Sequence, residues 1–328
     1  MIKWQRFSAV RESFSRLGYR PLEREIFGVS LWNISIVALL FPLFFCPARA
    51  SSSDHYPEVR TLIANRQLDA AEKIIVTHMM IQPQDPELIT LLAEVRMDQG
   101  RAEEALTLTG DAERLGGATA LRAHVAGLAY SGLGRLDLAE PQFRRAIQLD
   151  PKFVAAHYFL ARLLYTRNRF DQAIAESKTT IALSPDFVRA YENLGLCYEG
   201  KHDLKEAEIW YREAIRRNAD STTKTEWPML DLATMLIRDE RIREARSYLE
   251  QALAINPHNP QSLFEMGVLL EKAGDRERAL AEFREAMKYD ETLAGAYYHA
   301  ARICQVLGYR EEAERYFAKF NQTTGKKH

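Results

Sequence analysis

Eight histidines (55, 78, 124, 157, 202, 258, 299 and 328), three cysteines (46, 197 and 304) and several carboxylate pairs could do chemistry in this chain. No two histidines stand at metal-ligand spacing on one helix, and no cysteine accompanies them, so no metal site is spelled out. Gly132-Leu-Gly134 is too short for a phosphate loop, and the Gly-x-Ser-x-Gly nucleophile elbow is absent. Glu103–Glu104, Glu206–Glu208 and Glu311–Glu312 stand near Arg and Lys, the pattern of a solvated helix face. The expectation is a protein that is not an enzyme and needs no cofactor or metal. What remains is the chemistry of recognition. Tyr158, Arg162, Tyr165, Arg189, Glu192, Trp227, Phe264, Tyr298 and Arg302 combine aromatic surface with guanidinium groups. Such residues are enriched at interface centres, and arginine pairs bidentately with carboxylates. The ligand expected is a peptide or helix that mixes apolar and acidic residues.

The elements that must position these side chains are written in a period. Alanine stands at 71, 105, 139, 173, 207, 245, 279 and 313, at steps of 34 residues with one step of 38. Self-similarity at this interval marks stacked supersecondary units. With that alanine as residue twenty, units begin near 52, 86, 120, 154, 188, 226, 260 and 294. Position eight is small in seven of the eight: Ala93, Gly127, Ala161, Gly195, Ala233, Gly267 and Ala301, with Val59 in the first. Positions four, seven, eight and eleven, as in His157, Leu160, Ala161 and Leu164, have helical spacing and predict helix A. Positions twenty, twenty-four and twenty-seven, as in Ala207, Tyr211 and Ala214, predict helix B. Pro83, Pro151, Pro185 and Pro257 at position thirty-two end the unit, since proline lacks the amide proton a helix needs.

These residues resemble the tetratricopeptide repeat family, over residues 52 to 328. The resemblance implies an all-α fold, an α-α superhelix or solenoid of about eight helix-turn-helix repeats, whose concave groove takes extended peptides or partner helices. Positions two, five, nine, twelve and thirteen of helix A would line that groove, and the nine recognition residues fall on them from the fourth repeat onward. Some family members grip a C-terminal carboxylate with lysines and asparagines. Asn193 fits one such place, but Tyr158 and Arg162 stand where the first lysine and asparagine would be, so that clamp is not expected. Glu58, Arg96, Thr109 and Gly116–Gly117 depart from the pattern in the first three repeats. A four-residue insertion within 218–228 either divides the array or lengthens one turn, and the polar residues favour the turn.

The first fifty residues stand apart. Basic residues from Lys3 to Arg24 lead into an apolar run, Ile34 to Phe45, followed by Ala48-Arg49-Ala50. These are the three parts of a secretory signal peptide over 1–50. The rival is an N-terminal membrane anchor, because the apolar character reaches back to Phe27, long enough to cross a bilayer. The array 51–328 would then be periplasmic, envelope-bound or secreted, and it would meet the membrane only through an uncleaved anchor. Beyond residue 50 the chain holds 37 basic and 42 acidic groups, a net charge of −5, which argues against a nucleic-acid footprint. Cys197 and Cys304 lie three units apart, too distant for a disulfide, and read as buried packing residues. The function expected is a non-enzymatic protein-interaction scaffold of the bacterial cell envelope. The alternative is a non-catalytic subunit of an envelope enzyme complex or secretion machine. Tyr316, Phe317 and Phe320 on the last helix also suggest self-association through the C-terminal repeat.

Overall fold

The computed structural model describes residues 55–325. The signal-peptide or anchor reading of 1–50 lies outside them. Sixteen helices and no strand occur among the described residues. The chain divides into two compact units, Met1–Thr166 and Arg167–His328. Unit one holds α1 (Pro57–Ala64), α2 (Leu68–Met79), α3 (Pro86–Asp98), α4 (Ala102–Gly116), α5 (Ala120–Gly132), α6 (Leu136–Leu149) and α7 (Val154–Thr166). Unit two holds α8 (Phe170–Leu183), α9 (Val188–Gly200), α10 (Leu204–Asp220), α11 (Trp227–Arg238), α12 (Ile242–Ile255), α13 (Pro260–Lys272), α14 (Arg276–Tyr289), α15 (Ala294–Leu307) and α16 (Arg310–Gly325). Odd-numbered helices are the A helices and even-numbered ones the B helices.

The periodic alanines explain the pairing. All eight are buried, Ala313 at 2% exposure being the most open. Within each unit they let A and B backbones approach, and there helix A packs most heavily on the helix B that follows. Glycine at position eight faces an aromatic ring at position twenty-four. A Cβ on Gly127 or Gly267 would sit 2.6 Å from the ring of Phe143 or Phe283, and one on Gly195 would strike Tyr211. Where alanine occupies position eight, the position-twenty-four residue is Thr109 after Ala93 and Leu249 after Ala233, whereas Ala301 keeps an aromatic, Phe317.

The turn between A and B helices has its own device. Position fifteen is left-handed in all eight repeats: Gly100, Gly134, Gly274 and Gly308, but also Arg66, Asn168, His202 and Glu240, with φ between 58° and 85°. Glycine adopts that region at no steric cost, whereas a side chain is strained there. Between repeats the links are polar. The His157 imidazole donates to the Pro151 carbonyl oxygen at 3.1 Å, and the Tyr191 hydroxyl to that of Pro185 at 2.8 Å. Asp85, Thr119 and Asn259 cap the A helices they precede by accepting backbone N–H groups.

Two departures from the repeat pattern find local compensation. Gly116 leaves room for the Pro86 ring, and the buried Arg122 donates through Nη1 to the Gly117 carbonyl and through Nε to Thr90 Oγ1. The insertion is a braced turn. The fully buried Asn218 side chain accepts from Thr225 N at 3.0 Å and donates to Thr225 O at 2.6 Å. Glu226 then accepts from both Asn256 and Asn259.

Candidate partner-binding face

The A helices present the side chains at issue. In unit one Tyr158 is buried, at 4% exposure, with its ring edge-on to Phe159 at 5.1 Å. Arg162 and Tyr165 are half-buried. In unit two Glu192 is buried at 5%, Trp227 and Phe264 are half-buried, and Arg189, Tyr298 and Arg302 are exposed. The expectation that Tyr158 and Glu192 lie open on the stripe is therefore corrected. Both occupy position five, as do Thr90, His124 and Leu230, all buried. Among the described residues at that position only Tyr298 in the last repeat, at 39%, is exposed.

Unit two brings three of these side chains together around His299. The Arg302 guanidinium lies over the Tyr298 ring at 5.7 Å, Tyr298 meets His299 edge-on at 5.8 Å, and Phe264 meets His299 at 5.7 Å. Phe317 and Phe320 close on Tyr298 from α16, the latter at 5.4 Å. Cation–π contact holds the arginine stem while its charge stays open to a ligand. Two carboxylates on this face are matched. Glu199 accepts from the Tyr211 hydroxyl at 2.7 Å and pairs with Arg238. Glu271 Oε2 stands 2.5 Å from His299 Nδ1.

A ring triad recurs in both units with the imidazole in a different place. His124, Phe143 and Phe159 fill positions five, twenty-four and six of repeats three and four. Phe264, Phe283 and His299 fill the same positions of repeats seven and eight. His124 is buried, its Nδ1 has no partner among the described residues, and burial pushes its pKa down to about 3.

Unit one also carries charge on this face that reading the stripe from later repeats missed. Glu87, Glu94 and Asp98 stand at positions two, nine and thirteen of α3, with Arg60 at position nine of α1. Arg60 pairs with Glu87, and Arg66 reaches Asp98 at 3.3 Å. Glu94 has no hydrogen-bond or ion-pair partner among the described residues. Burial pushes its carboxyl up to about 7; Arg60 opposes the rise, and Asp98 and Glu87 add to it. Among the described residues no group of three His, Cys, Asp or Glu side chains could hold a metal.

The sequence profile of the tetratricopeptide repeat matches three stretches of this chain, 124–177, 186–258 and 236–282. Together with the paired helices, these matches decide the identity of the units. The chain carries tetratricopeptide repeats. Among curated proteins it is 25% identical over 278 residues to the CTR9 homolog of Arabidopsis thaliana, covering 72% of this chain and 25% of that protein. It is 27% identical over 152 residues to the type IV pilus assembly protein PilF of Pseudomonas aeruginosa, covering 44% of this chain and 57% of that one. The chain thus spans a quarter of the first of these relatives and rather more than half of the second. In fold it is similar to a chain of the APC/C hetero-tetramer Cut9–Hcn1, with a TM-score of 0.65 at 15% identity, over 82% of this chain and 52% of that. Tetratricopeptide repeats are in general a protein-interaction fold.

Proposed function

We propose that this chain is a non-enzymatic adaptor of the bacterial cell envelope that takes a peptide or helix of a partner protein on the A-helix faces of its repeats. The observation that carries the reading is the exposed Tyr298–Arg302 pair, seated on His299 and Phe264. It places apolar surface beside an open charge, which suits a ligand with apolar and acidic residues. Ala48-Arg49-Ala50 after the apolar run supports export of the mature chain from residue 51. The likeness to PilF, named for type IV pilus assembly, supports an envelope address. It also favours the second reading, a non-catalytic subunit of an envelope machine.

Photo-crosslinkers placed singly at Arg162, Arg302, Glu103 and Arg246 test the binding face in the full chain. Crosslinks to one shared partner from the first two sites, and none from the two on B helices, support it. Replacing Tyr298 and Arg302 together by alanine then weakens that partner by about 2 kcal/mol or more. Crosslinks from the B helices alone would move the site to the opposite face.

A further inference from the structure

Unit one's A-helix face carries three carboxylates in a row on α3, and the first repeat answers two of them. Arg60 pairs with Glu87 and Arg66 with Asp98, so the flanking charges are already matched. Glu94, between them, is more enclosed than exposed and unpaired among the described residues. The other charged groups on the surrounding helices are engaged elsewhere or point away. Arg122 of α5 is held by Thr90 and Gly117, Glu72 of α2 pairs with Arg96, Arg101 and Glu104 pair on α4, and Glu58 of α1 is exposed. An enclosed carboxylate without a partner is costly. The fold does not require one at this place, because position nine is Leu128 in the next repeat and Leu196 in the fifth. A half-buried charged group retained at a cost to folding is a candidate for binding.

We propose that the A-helix face of unit one binds a basic peptide of the partner protein, one lysine or arginine of which pairs with Glu94. This rests on the A-helix face being the binding face and gives the chemistry of its first repeats. The ligand's cation supplies the partner that Arg60 and Arg66 supply to Glu87 and Asp98. Leu128, half-buried at the same repeat position of α5, offers apolar surface for the methylene stem of a lysine.

Fluorescence anisotropy of the full chain with a labelled (Lys-Gly-Leu)3 peptide at pH 8 tests this, with (Glu-Gly-Leu)3 as the counter-probe. The expected result is saturable binding of the basic probe, weakened at least fivefold by Glu94→Gln and unchanged by Glu103→Gln on α4. Affinity should fall as pH drops from 8 to 6, because the proton competes with the cation, and Glu94→Gln should lose that dependence. Glu94→Leu controls for folding: it melts no lower than the parent chain and still loses the probe. No saturable binding of the basic probe, binding of it indifferent to Glu94→Gln or Glu94→Leu, or acidic-probe binding weakened equally by Glu94→Gln would overturn the proposal. If Arg302 still crosslinks a partner while Glu94→Gln is neutral, only this inference fails. If neither A-helix site responds, the reading of the face fails with it.

Discussion

The two units use the same repeat and treat ionisable groups on their A helices differently. In unit two Glu199 is matched by Arg238 and Glu271 by His299. In unit one Glu94 stands unpaired and His124 is sealed neutral inside its ring triad. The triads make the contrast sharp, since three rings fill one volume in both places and only the position of the imidazole changes. Matching across repeats converts a charge into a staple. An unmatched group is a standing cost to folding, and it makes unit one the half whose stability should respond to pH.

The largest expected effect comes from His124. Its folded pKa, about 3, lies below the ordinary value of 6.5, so the unfolded chain binds more protons between those limits. The stability that its neutrality secures is whole above pH 6.5 and is lost as pH falls toward 3, roughly 3–5 kcal/mol in all. Denaturant unfolding of His124→Phe should show a much shallower acid loss than the parent, and an identical pH profile would break the contrast at its strongest point. Glu94 runs the other way. Its carboxyl is raised from 4.5 to about 7, so the folded state holds the extra proton and stability rises as pH falls through 7. Glu94→Gln should therefore gain about 1–2 kcal/mol at pH 8, with the gain vanishing below about pH 4.5. In unit two Glu271→Gln should instead lose up to about 1 kcal/mol, since it weakens a formed pair. The smallest effect lies in the turns both units share. Glu240→Gly relieves a left-handed side chain at φ 61° and should gain up to about 1 kcal/mol. A loss there would mean that the Glu240 side chain does something the backbone angle hides.

The interior was legible because it repeats. Ala71 through Ala313 fall where two backbones must approach, and any larger side chain would break the period. Position fifteen was not legible. Only four of its eight residues are glycine, and Arg66, Asn168, His202 and Glu240 share no side-chain property; they share a backbone angle. Tyr158 and Glu192 were misplaced because a helical wheel knows one helix, whereas burial at position five depends on more than that helix. Arg122 passed unnoticed for a similar reason, since its partners Thr90 and Gly117 lie 32 and five residues away. Glu94 looks in sequence like any solvated carboxylate. Its interest comes from what α1 matches and what it leaves.

Direct titration of Glu94 tests that claim most closely. With 13C-labelled glutamate in the full chain, the Glu94 carboxyl resonance, assigned by its disappearance in Glu94→Gln, should titrate with a midpoint near 7. Saturating (Lys-Gly-Leu)3 should pull that midpoint down toward the ordinary carboxylate range, because a bound cation favours the charged form. A free-chain midpoint near 4.5, or one that the basic peptide leaves in place, would contradict the account.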